Sequence, residues 1–328
     1  VLLVLVGCRR PLQVQTHSRV SLSPLPTRAV GPLEEMPVRH ERCAQAKIAV
    51  IDVDGLLLNT DMVGLYSQGE NPVALFREKL DRAACDPCVR GVVLRINTYG
   101  GGVTASDIMW HDLVQFKRVT GLPVVACLMD VATGGGYYLA TASDEIVAHP
   151  TTVTGGIGVI LNTYNLQDLM AYFNVLGTPI KAGKHADVGS PVRALDDESK
   201  QLLQDMADEF HERFKQIVAE TRPGHAADAL DGRVLTANQA LDRCLIDHVG
   251  YVDDAVAIAK QMAGVHSARL VFYRRQSDPA RNVYSTTPNT PLQATRFPLS
   301  IPGIDRTKLP TFLYIWQPEP TIERLSGK

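Results

Sequence analysis

An α/β fold with a mainly parallel sheet and helices outside is predicted by three observations. Short β-branched runs recur, amphipathic stretches of helical period separate them, and glycines crowd the places where a run ends. Parallel strands need crossover connections, and a helix between successive strands supplies them. "KIAVIDVDGLL" (47–57) reads as the first buried strand. Asn71-Pro72 then has the form of an N-cap followed by proline at the first helical position. Val73, Phe76, Leu80 and Ala83 put one apolar stripe on that helix. "GVVLRIN" (91–97) is a second strand, broken by "YGGGV" (99–103), and a helix follows from about Thr104 to Val119. "LPVVACLMD" (122–130) is a third strand and runs into "DVATGGGYYLA" (130–140). "DEIVAHP" (144–150) and "GGIGVI" (155–160) are further short strands. One long amphipathic helix spans 196–222, with Asp196, Asp197 and Glu198 at the end where the helix dipole favours negative charge. Together these elements make residues 46–270 one domain.

The flanks differ in character. "VLLVLVGC" (1–8) resembles the end of a bacterial lipoprotein signal peptide, with Cys8 as the acylated residue. Seven apolar residues are too few to cross a bilayer, which takes about 20. Residues 9–45 carry Pro11, Pro24, Pro26, Pro32 and Pro37 with no strand or helix period, and read as a tether. Residues 271–328 read as a proline-rich arm, in which "FLYIWQP" (312–318) is the one apolar knot, expected to pack on the domain or on a neighbouring subunit. The expected location is the bacterial cell envelope, as a membrane-anchored lipoprotein facing outside the cytoplasm.

Composition narrows the function classes. The 328 residues hold 45% apolar side chains, enough for a large core, and 33 basic against 35 acidic residues. No basic patch stands out in the sequence, so no nucleic-acid partner is expected. Six cysteines (Cys8, Cys43, Cys85, Cys88, Cys127 and Cys244) are too scattered for a disulfide scaffold. Cys85 and Cys88 form a lone C-x-x-C without a second half. His111, His149, His185 and His211 lack the spacing of a metal motif, so neither metal nor cofactor is expected.

Chemistry concentrates at the glycines of 100–102 and 134–136. Glycine lets a ligand backbone approach closely, and two strand-to-helix turns side by side can aim backbone N–H groups at one oxyanion. No G-x-x-x-x-G-K-[ST] phosphate loop occurs.

Four stretches resemble the signal peptide peptidase A (SppA) family of serine peptidases. "GVVLRINTYGGGVTAS" is similar to its strand and "N-S-P-G-G" oxyanion loop. "DVATGGGYYLATASDEIVAHPTTVTGGIGVI" is similar to its "A-S-G-G-Y-Y" and "T-G-S-I-G-V-I" segments. "IKAGKHADVGSPVR" resembles its lysine segment, and "DGRVLTANQALDRCLIDHVG" its closing motif. The resemblance implies a crotonase/Clp-protease-like fold, a single-repeat subunit that assembles as a homo-oligomer, and a peptide or unfolded polypeptide segment as partner. In the family a serine nucleophile works with a lysine base, which takes the hydroxyl proton. Those positions are Gly134 and Ala186 here. Tyr99 replaces a proline and Gly156 a serine, while the glycines expected to serve the oxyanion and the peptide, Gly100, Gly101 and Gly135, are kept.

The resemblance therefore implies a membrane-tethered homologue, non-catalytic, that binds or scaffolds peptides. The alternative is an active peptidase cleaving signal or membrane-derived peptides with a displaced Thr133/Lys184 dyad. If 184–186 is extended, Lys184 shares a face with position 186 about 7 Å away, but a hydroxyl one step along a turn points elsewhere. A thioester enzyme is a third reading, for which no acid/base pair is visible. On the sequence alone, Gly134→Ser with Ala186→Lys is expected to rebuild activity if the scaffold is intact.

Overall fold

The computed structural model describes residues 31–39, 44–61, 70–175, 177–275, 282–285 and 312–316. Cys8, the rest of 1–30 and Cys43 lie outside the described residues, and with them the lipid-anchor expectation.

In chain order the strands and helices are β1 (Glu34–Arg39), β2 (Lys47–Leu57), α1 (Pro72–Ala84), β3 (Val89–Gly102), α2 (Val103–Thr120), β4 (Val124–Thr133) and α3 (Gly135–Ala140). Then come β5 (Glu145–Ala148), β6 (Val153–Gly155), α4 (Gln167–Tyr172), α5 (Asp197–Thr221), β7 (Val234–Thr236), α6 (Ala237–Asp242) and β8 (His248–Val249). The last are α7 (Val252–Met262), β9 (Arg269–Arg274) and β10 (Leu313–Ile315). The main sheet runs β1-β9-β2-β3-β4-β5-β8. Every pairing from β9 to β8 is parallel, and β1 closes one edge antiparallel to β9. The mainly parallel α/β sheet expected from the sequence is the one observed.

Period two along the strands sends alternate residues to opposite faces. Ala49, Ile51, Leu94, Ile96, Ala126 and Leu128 join the larger core with α1, α2, α3 and part of α5. Ile48, Val50, Val93, Val125 and Cys127 join a smaller core under α7. Helices thus cover both faces, as near-continuous apolar strands require. The α1 cap is as read: the Asn71 side chain accepts from the N–H groups of Val73 and Ala74, and the Val73, Phe76, Leu80, Ala83 stripe is buried.

Four boundaries differ from the sequence reading. β1 lies inside the stretch read as a tether, although it contains Pro37. An edge strand tolerates proline, and the register shifts between Pro37 and Arg39. β9 runs across the expected domain end at residue 270, because β1 and β2 pair with it on either side. β3 does not break at "YGGGV" but continues to Gly102, held by β2 and β10. Extended pairing of "GGIGVI" ends at Gly155, and only Ile160 bridges again, to Leu313.

Candidate functional site

β3 and β4 are parallel neighbours, so their carboxyl ends emerge side by side, where open parallel sheets place ligands. After Thr133 the chain turns into α3 through Gly134, at φ 52° and ψ −119°. This is a strained strand-to-helix turn of the kind that exposes a nucleophile in α/β hydrolases, and glycine meets it with least strain. Two bonds fix it. The Gly134 N–H donates to the Gly155 carbonyl at 2.9 Å, and the Tyr138 N–H donates to the Gly134 carbonyl at 2.9 Å. The turn presents no hydroxyl.

The expected oxyanion glycines gather around it. Gly100 has φ +114°, and a Cβ there would come closer than 3 Å to the Tyr314 carbonyl and to the Gly135 nitrogen. At Gly101 a Cβ would strike the Leu57 backbone, and at Gly135 the Ser106 hydroxyl. The Gly100 N–H donates to Thr98 Oγ1 at 3.0 Å, so that amide is already engaged. Gly156, in the place of a family serine, sits with its would-be Cβ 3.3 Å from the Gly134 nitrogen.

The other candidates lie apart. Thr133 is fully buried, and its hydroxyl donates to the Tyr99 carbonyl at 3.1 Å. Ala186 and Lys184 are on an exposed stretch, where Lys184 pairs with Glu198 at the start of α5. Asp187, next to Ala186, is held below the usual carboxylate range by hydrogen bonds from Lys181 and Arg193. No hydrogen bond joins Thr133 to Lys184. The histidines are separate too: His211 Nε2 lies 2.9 Å from the Ile157 carbonyl and 2.8 Å from that of Leu230, and His149 Nδ1 lies 2.8 Å from Thr151 Oγ1. His111 and His185 sit beside Asp112 and Glu198.

The apolar knot expected to pack on the domain or on a neighbouring subunit lies on these glycines as a strand. β10 pairs antiparallel with the glycine end of β3, Tyr314 opposite Gly101 and Ile315 opposite Gly100. Its Tyr314 carbonyl and the Ile315 nitrogen stand where a side chain on Gly134 would have to go, the latter 2.8 Å from the Cβ position. "FLYIWQP" was visible as an apolar knot, but nothing local in it names β3 as its partner.

One buried charge cluster lies on β2, β3 and β9. Asp52 is paired with Arg95 at 2.7 Å and Arg274 at 2.8 Å, all three almost wholly buried. Arg95 also donates to the Ser285 carbonyl at 2.7 Å, and both guanidinium groups lie over the Phe272 ring. Burial, with the Asp52 charge adding, pushes the Asp54 carboxyl up to about 7. A perturbed acid of this kind is a functional candidate in general, but here it lines a small internal space with Leu57, Phe76, Lys79 and Met109.

Known proteins resemble this chain as follows. A family model described as peptidase family S49 matches residues 117–266, which include Gly134 and Ala186. A candidate signal peptide peptidase SppA of Enterococcus faecium is 28% identical over 241 residues, covering 73% of this chain and 70% of its own length. A candidate protease of Methanocaldococcus jannaschii is 31% identical over 213 residues, covering 64% of this chain and 68% of its own. Protease 4 of Salmonella typhi is 32% identical over 232 residues, but the match spans only 36% of that protein and 69% of this chain. Among solved structures, a membrane-bound stomatin-specific protease aligns at TM-score 0.40 with 16% identity, over 66% of this chain and 86% of its own. ClpP1 from Listeria monocytogenes aligns at TM-score 0.40 with 14% identity, over 63% and 94%.

Proposed function

Because the chain belongs to peptidase family S49, the signal peptide peptidase A family, we propose that it is a member that keeps a peptide groove and has lost the hydrolytic step. The observation that carries this reading is at Gly134. The turn retains the strained geometry of a nucleophile position, carries no side chain, and has the Tyr314 backbone in the space one would need. Covalent catalysis needs a nucleophile and a base within hydrogen-bond reach. Glycine and alanine supply neither. The displaced pair has less support, since the Thr133 hydroxyl is bonded inside the core and Lys184 to Glu198 in solvent.

What remains useful is the glycine end of β3, which already takes β10 as an antiparallel strand. An extended peptide that adds there as a strand gains main-chain hydrogen bonds, and pockets for alternate side chains give selectivity. Binding or scaffolding of peptide segments is therefore the proposed activity. A lipid anchor at Cys8 would hold it at the envelope membrane, and several acyl chains would anchor it stably where one would not. Assembly into a homo-oligomer is part of the same reading. Support comes from Leu169, Tyr172, Phe173 and Ile180, large apolar residues left exposed on and after α4.

The test is direct. Purified protein exposed to a fluorophosphonate reagent is expected to stay unmodified, and peptide cleavage is expected to be absent in both wild type and Thr133→Val. Cleavage that disappears in Thr133→Val or Lys184→Met would establish the displaced dyad instead.

A further inference from the structure

β2 and β3 do not pair evenly to their ends. Asp54 lies opposite Asn97 and Leu56 opposite Gly100, so Gly55 faces both Thr98 and Tyr99 in a bulge. Bulges recur beside functional sites, where they re-aim a strand or end its pairing. Gly55 takes φ +74° there, and its carbonyl accepts from the Thr98 hydroxyl. The same Thr98 oxygen accepts the Gly100 N–H at 3.0 Å. Beyond the bulge Leu56 and Leu57 pair with Gly100 and Gly101. The glycine end of β3 is therefore held by residues 54–57 of β2, a stretch that begins with a buried acid.

Asp54 is 9% exposed. With Leu57, Phe76, Lys79 and Met109 it lines a cavity of about 10 Å³, room for one water at most. The charged groups that face it are Asp52 of β2, Arg95 of β3, Arg274 of β9 and Lys79 of α1. Both arginines are shared with Asp52, at 2.7 and 2.8 Å, and Lys79 Nζ donates to the Asp52 carbonyl at 3.4 Å. Burial first, and the Asp52 charge next, outweigh the three cations and hold the Asp54 carboxyl up to about 7. An ionised Asp54 needs water that the closed cavity does not supply. Water reaches it at least cost where the ladder is already interrupted, at the bulge.

We propose that the proton on Asp54 latches the glycine end of β3. With the carboxyl neutral, residues 54–57 close on Gly100 and Gly101. With it ionised, that end of β2 opens to water while the centre of the sheet stays paired. A groove built this way is intact at low pH and loosens as pH rises. Only its consequence for peptides rests on the binding reading above.

The experiment is deuterium exchange of the full chain, read by mass spectrometry on fragments covering residues 54–58 and 98–103. Protection is the open-chain rate at the same pH divided by the observed rate. The closed form keeps its proton up to about pH 7, whereas the open form releases it above about pH 4. Protection of these fragments is therefore expected to fall roughly 50- to 100-fold from about pH 5 to about pH 8, levelling off above about 7. Low urea is expected to leave this local opening almost unchanged, while fragments covering 48–51 and 92–95 stay better protected and respond to urea. If all four fragments share one protection and one urea response, Asp54 acts on global stability alone and the proposal is overturned. Asp54→Asn is expected to keep the low-pH protection throughout, and a fall that survives in it refutes the latch. Lys79→Met removes a cation that favours ionisation, so the levelling-off is expected at higher pH. A shift to lower pH, or none, refutes it as well. No ligand enters these measurements, so their failure leaves the peptide-binding reading standing, and a groove that binds no peptide leaves the latch standing.

Discussion

A side chain at position 134 would meet two separate penalties. The positive φ of the turn costs an L-residue roughly 1–2 kcal/mol, and the Tyr314 backbone already lies within contact of the Cβ position. Gly134→Ala is accordingly expected to destabilise the protein by about 2–4 kcal/mol in urea unfolding. The same crowding changes what the dyad restoration should do. Gly134→Ser with Ala186→Lys is expected to remain inert in the full chain and to gain cleavage only when residues 312–328 are removed as well. Activity in the full-length double variant would show that Tyr314 does not block the turn. Asp54 supplies a second prediction at this scale. Its carboxyl is held up to about 7 by burial first and by the Asp52 charge next. The folded state therefore keeps a proton that the unfolded state releases above about pH 4. Stability should fall as pH rises from about 4 to 7 and level off above that, by a few kcal/mol at most. In Asp54→Asn that decline should be absent from urea midpoints measured across the same range.

Among the elements, those with a local signature were legible. α1 announced itself through Asn71, Pro72 and a buried stripe, and α5 through Asp196, whose side chain accepts from the Ser199 N–H at 2.7 Å. β1 and the last turn of β3 were not. Pro37 and a run of three glycines both argue against a strand locally, and only pairing with β9 on one side, and with β2 and β10 on the other, makes them strands. The Asp52 cluster shows the same dependence on distance in sequence, since its partners come from β3 and β9. Removing the shared carboxylate would leave two guanidinium groups buried without their counter-charge. Asp52→Asn is expected to cost about 3–5 kcal/mol, read as a drop in the thermal midpoint. A loss below about 1 kcal/mol would mean that water reaches the cluster.

At the scale of the molecule the apolar surface is unevenly finished. Phe312, Leu313, Tyr314 and Ile315 are buried against the core, yet Tyr172, Phe173 and Ile180 stand in solvent, with Leu202 and Met206 of α5 half exposed. If that surface is a subunit contact, sedimentation should detect an oligomer that Tyr172→Asp with Phe173→Asp dissociates without loss of helical signal. A wild-type monomer across micromolar concentrations would sink the assembly. The family motifs and the empty dyad positions were readable because each is a short run of defined residue types: "GGGYY" without its serine, "KHADVGSP" without its lysine.

The sequence by itself determined the parallel α/β framework, the family, and the absence of both a hydroxyl and an amine at the two reactive positions. These follow from residue identity and from periodicities of a few residues, which need no knowledge of distant partners. Only the tertiary structure decided that Thr133 is sealed in the core and that Asp52 holds two arginines. It alone decided that the tail returns to lie on the glycines of β3. Each of those is a contact between segments far apart in the chain, and no local pattern of side chains specifies which strand end a distant apolar segment will meet.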